Sequence, residues 1–105
     1  MRITVAHNKT RQQAIHAVDQ AIQDAFQGLP IAAIKFTDQK KAWNGSVMSF
    51  SMNARMGFLN NPISGTVEVT DRDVIIDADL GMLNKLLPQE KIKTTVESRV
   101  KGLLT

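Results

Sequence analysis

A chain of 105 residues with 43% apolar and 22% charged side chains is long enough to build one hydrophobic core and too balanced to be a disordered or membrane-embedded segment. It has no cysteine, which excludes a disulfide framework, a thiolate metal site, a cysteine nucleophile and thiol redox chemistry by the protein itself. A formal net charge of +3 is too small an excess to point to nucleic acid, which stays a minor alternative as a weak binding partner.

The chain opens on Met1-Arg2-Ile3-Thr4-Val5-Ala6-His7, which turns polar at once and lacks the apolar stretch of a secretory signal. No run approaches the length of a membrane span, so a cytoplasmic protein without a transmembrane segment is expected. Ile3 and Val5 alternate with polar neighbours and predict an opening strand with one buried face. The period then changes. Thr10 and Gln13 fit a capping box, and Ala14, Ile15, Ala17, Val18, Ala21, Ile22, Ala25 and Phe26 fall on about half the circumference of a helix that Gly28 and Pro30 would end.

From Ile31 to Trp43, Ile34 and Phe36 alternate before Asp38 to Lys41 break the phase, which fits one strand with a bulge or two short strands. Asn44-Gly45 predicts a two-residue type I′ turn, because both residues tolerate positive φ. Met48, Phe50 and Met52 then mark one buried face of a strand. Between Asn53 and Pro62 the pattern lapses, and Met56-Gly57-Phe58-Leu59 reads as a loop or bulged strand end bearing apolar groups. Ile63, Gly65, Val67 and Val69 resume the alternation, Thr70 to Asp73 turn the chain, and Val74, Ile76, Ala78 and Leu80 complete a hairpin. After Gly81 the run Met82 to Leu87 is apolar without a clear period. Pro88 suits a helix first turn, followed by the stripe Ile92, Val96, Val100, Leu103 and Leu104.

These elements predict a single α+β domain over residues 1–105, ordered β-α-β-β-β-β-α. Its antiparallel sheet of four to five strands would be covered on one face by two helices in a two-layer arrangement. The candidate sites are few. His7 and His16 are not at a metal-ligand spacing, and His16 falls on the polar face of its helix. Asp77 and Asp79 share a strand face but lack the further oxygens a divalent cation needs, so they read as a solvated face. Lys35, Lys40, Lys41 and Arg55 around Trp43 could form a basic patch with a stacking aromatic, against which Trp43 packing across its strand pair is the simpler reading. No serine or lysine has an identifiable activating partner, and no glycine-rich loop meets a helix start, so no catalytic residue, cofactor or metal ligand is assigned and an enzyme is not expected. The excess of methionine and phenylalanine, concentrated around Met56, Phe58 and Leu59, predicts a pocket, a homodimer contact or an adhesive surface in addition to core.

The segments Trp43-Asn44-Gly45, Met48-Ser49-Phe50, Ser64-Gly65-Thr66-Val67-Glu68-Val69 and Val74 to Leu83, followed by the amphipathic closing helix, resemble the polyhydroxyalkanoic acid system protein family. The opening strand and alanine-rich helix also fit, so the likeness covers nearly the whole chain. It implies a bacterial protein placed near storage-polyester granules and implies no catalytic residues. On this reading the protein is a noncatalytic accessory that meets a granule, a granule protein or a second copy of itself through Met56, Phe58, Leu59, Leu83, Leu86 and Leu87. The alternative is a small carrier of lipid or acyl ligands, since a long helix over a curved antiparallel sheet looks like a reduced helix-grip fold. A cavity of a few hundred cubic ångströms beneath the closing helix would mark the carrier, and a filled interior with an exposed apolar patch would mark the interaction module.

Overall fold

The computed structural model describes residues 1–27, 34–82, 85 and 88–104, with side chains over the same ranges except 21–27. The elements follow the expected order: β1 (Arg2–Ala6), α1 (Arg11–Gln27), β2 (Ile34–Asn44), β3 (Val47–Met56), β4 (Leu59–Val69), β5 (Asp73–Asp79) and α2 (Gln89–Leu104). All five strands join one antiparallel sheet in the order β1-β5-β4-β3-β2. The first strand therefore returns to pair with the last, and β1 and β2 are the edges.

Alternation decides which face is buried. Ile3 and Val5, Met48, Phe50, Met52 and Ala54, Ile63, Val67 and Val69, and Val74, Ile76 and Ala78 all point to one side. Ala14 and Val18 of α1 and Ile92, Val96, Val100 and Leu104 of α2 close over them, with the two helices packed side by side. Among the described residues, no element covers the opposite face of the sheet. The predicted capping box is present in both halves: the Gln13 amide donates to the Thr10 hydroxyl at 3.2 Å, and the Thr10 amide donates to Gln13 Oε1 at 3.1 Å.

In β2, the alternative of a single bulged strand is the one adopted. The pairing slips between Thr37 and Lys40, so that Asp38 and Gln39 oppose one residue of β3, and Asp38 takes φ of 54°, a left-handed conformation that Asp tolerates. Asn53 Nδ2 donates to Asp38 Oδ2 at 2.8 Å and holds the bulge. The inserted residue reverses the phase of everything after it. Phe36 faces the helices before the bulge, and Lys41 and Trp43 do so after it, opposite Phe50 and Met48. There the Trp43 indole N–H donates to Asp19 Oδ1 at 2.8 Å, and the Lys41 ammonium pairs with the same oxygen at 3.0 Å, fastening the edge strand to α1.

Two expectations are corrected. The β2–β3 turn is made by Gly45 and Ser46, with Asn44 already paired to Val47. Only Gly45 has positive φ (62°), the pattern of a type II′ turn with glycine at its first central position, so the turn sits one residue later than predicted. The stretch from Asn53 to Pro62 is no loop: β3 and β4 stay paired to Met56 and Leu59. Gly57 and Phe58 form a second two-residue turn of the same kind, with φ of 63° at Gly57. Asn60, Asn61 and Pro62 obscured that strand, since asparagine and proline normally signal a turn.

Candidate functional site

An unbroken β3–β4 hairpin puts an apolar group where few folded domains expose one. Strands of this length reach roughly 34–37 Å, and a two-residue turn leaves its second residue with no neighbouring strand to lie against. Phe58 occupies that position and is 96% exposed. Leu59, the first residue of β4, is 47% exposed, whereas Met56 opposite it is half-buried against the edge of the core. Of the predicted surface, Phe58 is thus fully presented, Leu59 is about half presented, and Met56 packs against the core beneath them. Leu83, Leu86 and Leu87 lie outside the described residues.

Two residues further along β4, Asn61 faces inward and is only 3% exposed. Its Nδ2 donates to the Leu80 carbonyl at 3.0 Å, and its Oδ1 accepts from the Met82 amide at 2.9 Å. One buried amide thereby pins the chain as it leaves β5. Gly81 lies between those two anchor points with φ of 55°, and an added Cβ would stand 2.5 Å from Asn61 Oδ1, so glycine is required on both counts. The latch holds Met82, which is 46% exposed, beside the strand that begins at Leu59. Sequence reasoning missed both residues. Asn61 was hidden in the apparent loop, and its signal is the inward phase it shares with Ile63; Met82 belonged to the apolar run but was not singled out from it.

The other sequence candidates separate by face. Lys41 and Trp43 engage Asp19 on the helix side, whereas Lys35, Lys40 and Arg55 lie on the bare side, so they do not make one patch. The bond from Trp43, and after it that from Lys41, hold the Asp19 carboxyl below its ordinary pKa, partly opposed by desolvation. His7 is buried and structural: Nδ1 accepts from the Lys9 amide at 3.1 Å, which leaves Nε2 to donate to the Thr70 carbonyl at 2.8 Å. His16 is exposed, as are Asp77 and Asp79. Among the described residues no group of three or more histidine or acidic side chains is placed to hold a metal ion, and no helix is long and apolar enough to cross a membrane.

A family model described as "Putative polyhydroxyalkanoic acid system protein" matches residues 1–104. The chain belongs to that family. No curated protein and no solved structure gives a significant match. Association with polyhydroxyalkanoic acid systems, as the family's name states it, is therefore the coarse function of this chain. Within this polyhydroxyalkanoic acid system protein, one pocket among the described residues, between the sheet, α1 and α2 and lined by Val18, Val67, Val74, Ile76, Val100 and Leu104, holds ≈ 10 Å³. That is about the room one water needs, and far below the hundreds of cubic ångströms an acyl ligand fills.

Proposed function

We propose that this protein is a noncatalytic accessory of its polyhydroxyalkanoate system and docks the β3–β4 end on the apolar surface of a storage-polyester granule. The observation that carries the reading is Phe58, 96% exposed at the apex of a tightly turned hairpin, with Leu59 next to it and Met82 exposed further along β4 beside Asn61. A buried core has no use for a phenyl ring in that place. Seating Phe58 and the exposed half of Leu59 in an apolar phase would contribute about 3 kcal/mol, or roughly a hundredfold in partitioning. Lys35 and Arg55, paired across β2 and β3 behind the tip, add positive charge that keeps this end soluble when free. Among the described residues, the pocket between the sheet and α2 is too small for an acyl chain, which favours docking over the carrier alternative.

The test is co-sedimentation with amorphous poly(3-hydroxybutyrate) particles. The doubly substituted Phe58→Ser/Leu59→Ser protein should bind about a hundredfold more weakly while its melting temperature stays within about 2 °C of the parent, because neither side chain supports the core. Equal binding by parent and variant would remove the hairpin tip from the function.

A further inference from the structure

The bare face of the sheet has an order in its charges that packing within the monomer does not need. Strands β4 and β5 present Glu68, Asp73, Asp77 and Asp79 and no lysine or arginine, and the one cation beyond them is Arg2 of edge strand β1, opposite Asp77. The β2–β3 half presents Lys35, Lys40 and Arg55, and its one acid, the bulge residue Asp38, is tied to Asn53. Between them lie small side chains: Ser49 and Ser51 on β3, Ser64 and Thr66 on β4, and Ala42 beside them on β2.

Register arranges these groups in rows. Lys40 pairs with Ser51, Ser51 with Ser64, and Ser64 with Asp79, so one straight row across four strands reads cation, serine, serine, anion. The next row reads Ala42, Ser49, Thr66, Asp77. A two-fold axis parallel to the strands, passing between β3 and β4 above the face, lays such a row on its own reverse. It sets Lys40 over the second copy's acidic end at both extremities and serine over serine in the middle. Among the described residues, neither Lys40 nor Asp79 forms an ion pair within the chain. An open depression of ≈ 680 Å³ between β2 and β3, lined by Gln39, Lys40, Ala42, Ser49 and Ser51, leaves room for the opposing side chains.

We propose that this protein forms a two-fold homodimer by stacking the bare sheet faces, with reciprocal Lys40–Asp79 pairs setting the orientation. Small side chains let two sheets approach to the ordinary spacing of about 10 Å. With strands about 4.8 Å apart, β3 and β4 overlapping along about 34 Å and the shorter β5 covering β2 along about 17 Å, the stacked area is on the order of 500 Å² per copy, the size of a weak, transient contact. The contact is isologous, so it closes at two copies, and it leaves both hairpin tips free. Two tips on one particle would add avidity to a docking site that is weak alone.

Sedimentation equilibrium of the full chain tests the proposal. The parent should dimerise, and Lys40→Asp or Asp79→Lys alone should each raise the dimer dissociation constant about tenfold or more by opposing like charges. The double substitution Lys40→Asp/Asp79→Lys restores the pairing with its sense inverted and should return the constant to within about threefold of the parent. A parent that remains monomeric at millimolar concentration overturns the proposal. So does a dimer indifferent to both single substitutions, or one that the double substitution fails to rescue. Because the readout is self-association without polyester, it stands or falls separately from granule docking.

Discussion

Replacing Asn61 with alanine removes both bonds of the buried amide and strands two backbone groups, the Leu80 carbonyl and the Met82 N–H. A backbone group left unpaired in the interior costs about 1–3 kcal/mol. The Leu80 carbonyl meets that condition, whereas Met82 is exposed enough for water to replace its lost acceptor. A loss of about 2–3 kcal/mol is expected, which for a domain of this size lowers the melting temperature by about 10–20 °C. Thermal unfolding followed by circular dichroism reads this directly. Asn61→Asp sharpens the test. Ionised, the introduced carboxyl offers only lone pairs to the Leu80 carbonyl; protonated, it donates an O–H there and still accepts from Met82, reproducing the amide. Its pKa in the folded state is therefore raised above the unfolded value near 3.9. Stability from such a group is complete below the unfolded pKa and is lost as pH rises through the folded one. Relative to the parent, the aspartate variant should gain stability between about pH 7 and pH 4. An alanine variant within about 0.5 kcal/mol of the parent, or an aspartate variant with a flat difference over that range, would refute the latch.

Two further outcomes follow from the same geometry. Gly65→Ala should destabilise by about 2–4 kcal/mol in chemical denaturation, since the new Cβ would meet the Asp77 carbonyl oxygen and sit 2.8 Å from the Ala78 Cα, with the Phe50 ring at 3.0 Å. A mild effect would mean that β4 and β5 separate easily. Asp19 has a depressed pKa in the folded state, so its contribution is complete above the unfolded value near 3.9 and is lost as pH falls through the folded one. The stability advantage of the parent over Asp19→Asn should therefore shrink between about pH 5 and pH 2 in a melting-temperature series, and a constant difference would show that the Trp43 and Lys41 contacts do not depend on the carboxylate charge.

Much of this architecture is local in origin and was legible in the chain. The capping residues Thr10 and Gln13, the stripe from Ile92 to Leu104, and the alternation of Ile63 to Val69 and Val74 to Ala78 each declare an element through the period of their own side chains. The family likeness rested on those same segments and extends over residues 1–104. What periodicity could not decide was pairing. Whether Asn60, Asn61 and Pro62 turn the chain or continue a strand depends on β3 offering them partners at Arg55, Ala54 and Asn53, and turn propensity yields to that ladder. The roles of Asn61 and Lys41 are of the same kind. A polar residue reads as surface until a neighbouring element brings it a carbonyl or a carboxylate, as Leu80 does for the one and Asp19 for the other. The row from Lys40 to Asp79 joins residues far apart in sequence, and only the register of four strands sets them on one line. Side-chain period is a property of neighbours along the chain; hydrogen-bond partnership and charge order across a sheet belong to neighbours in space, and those exist only once the fold has formed.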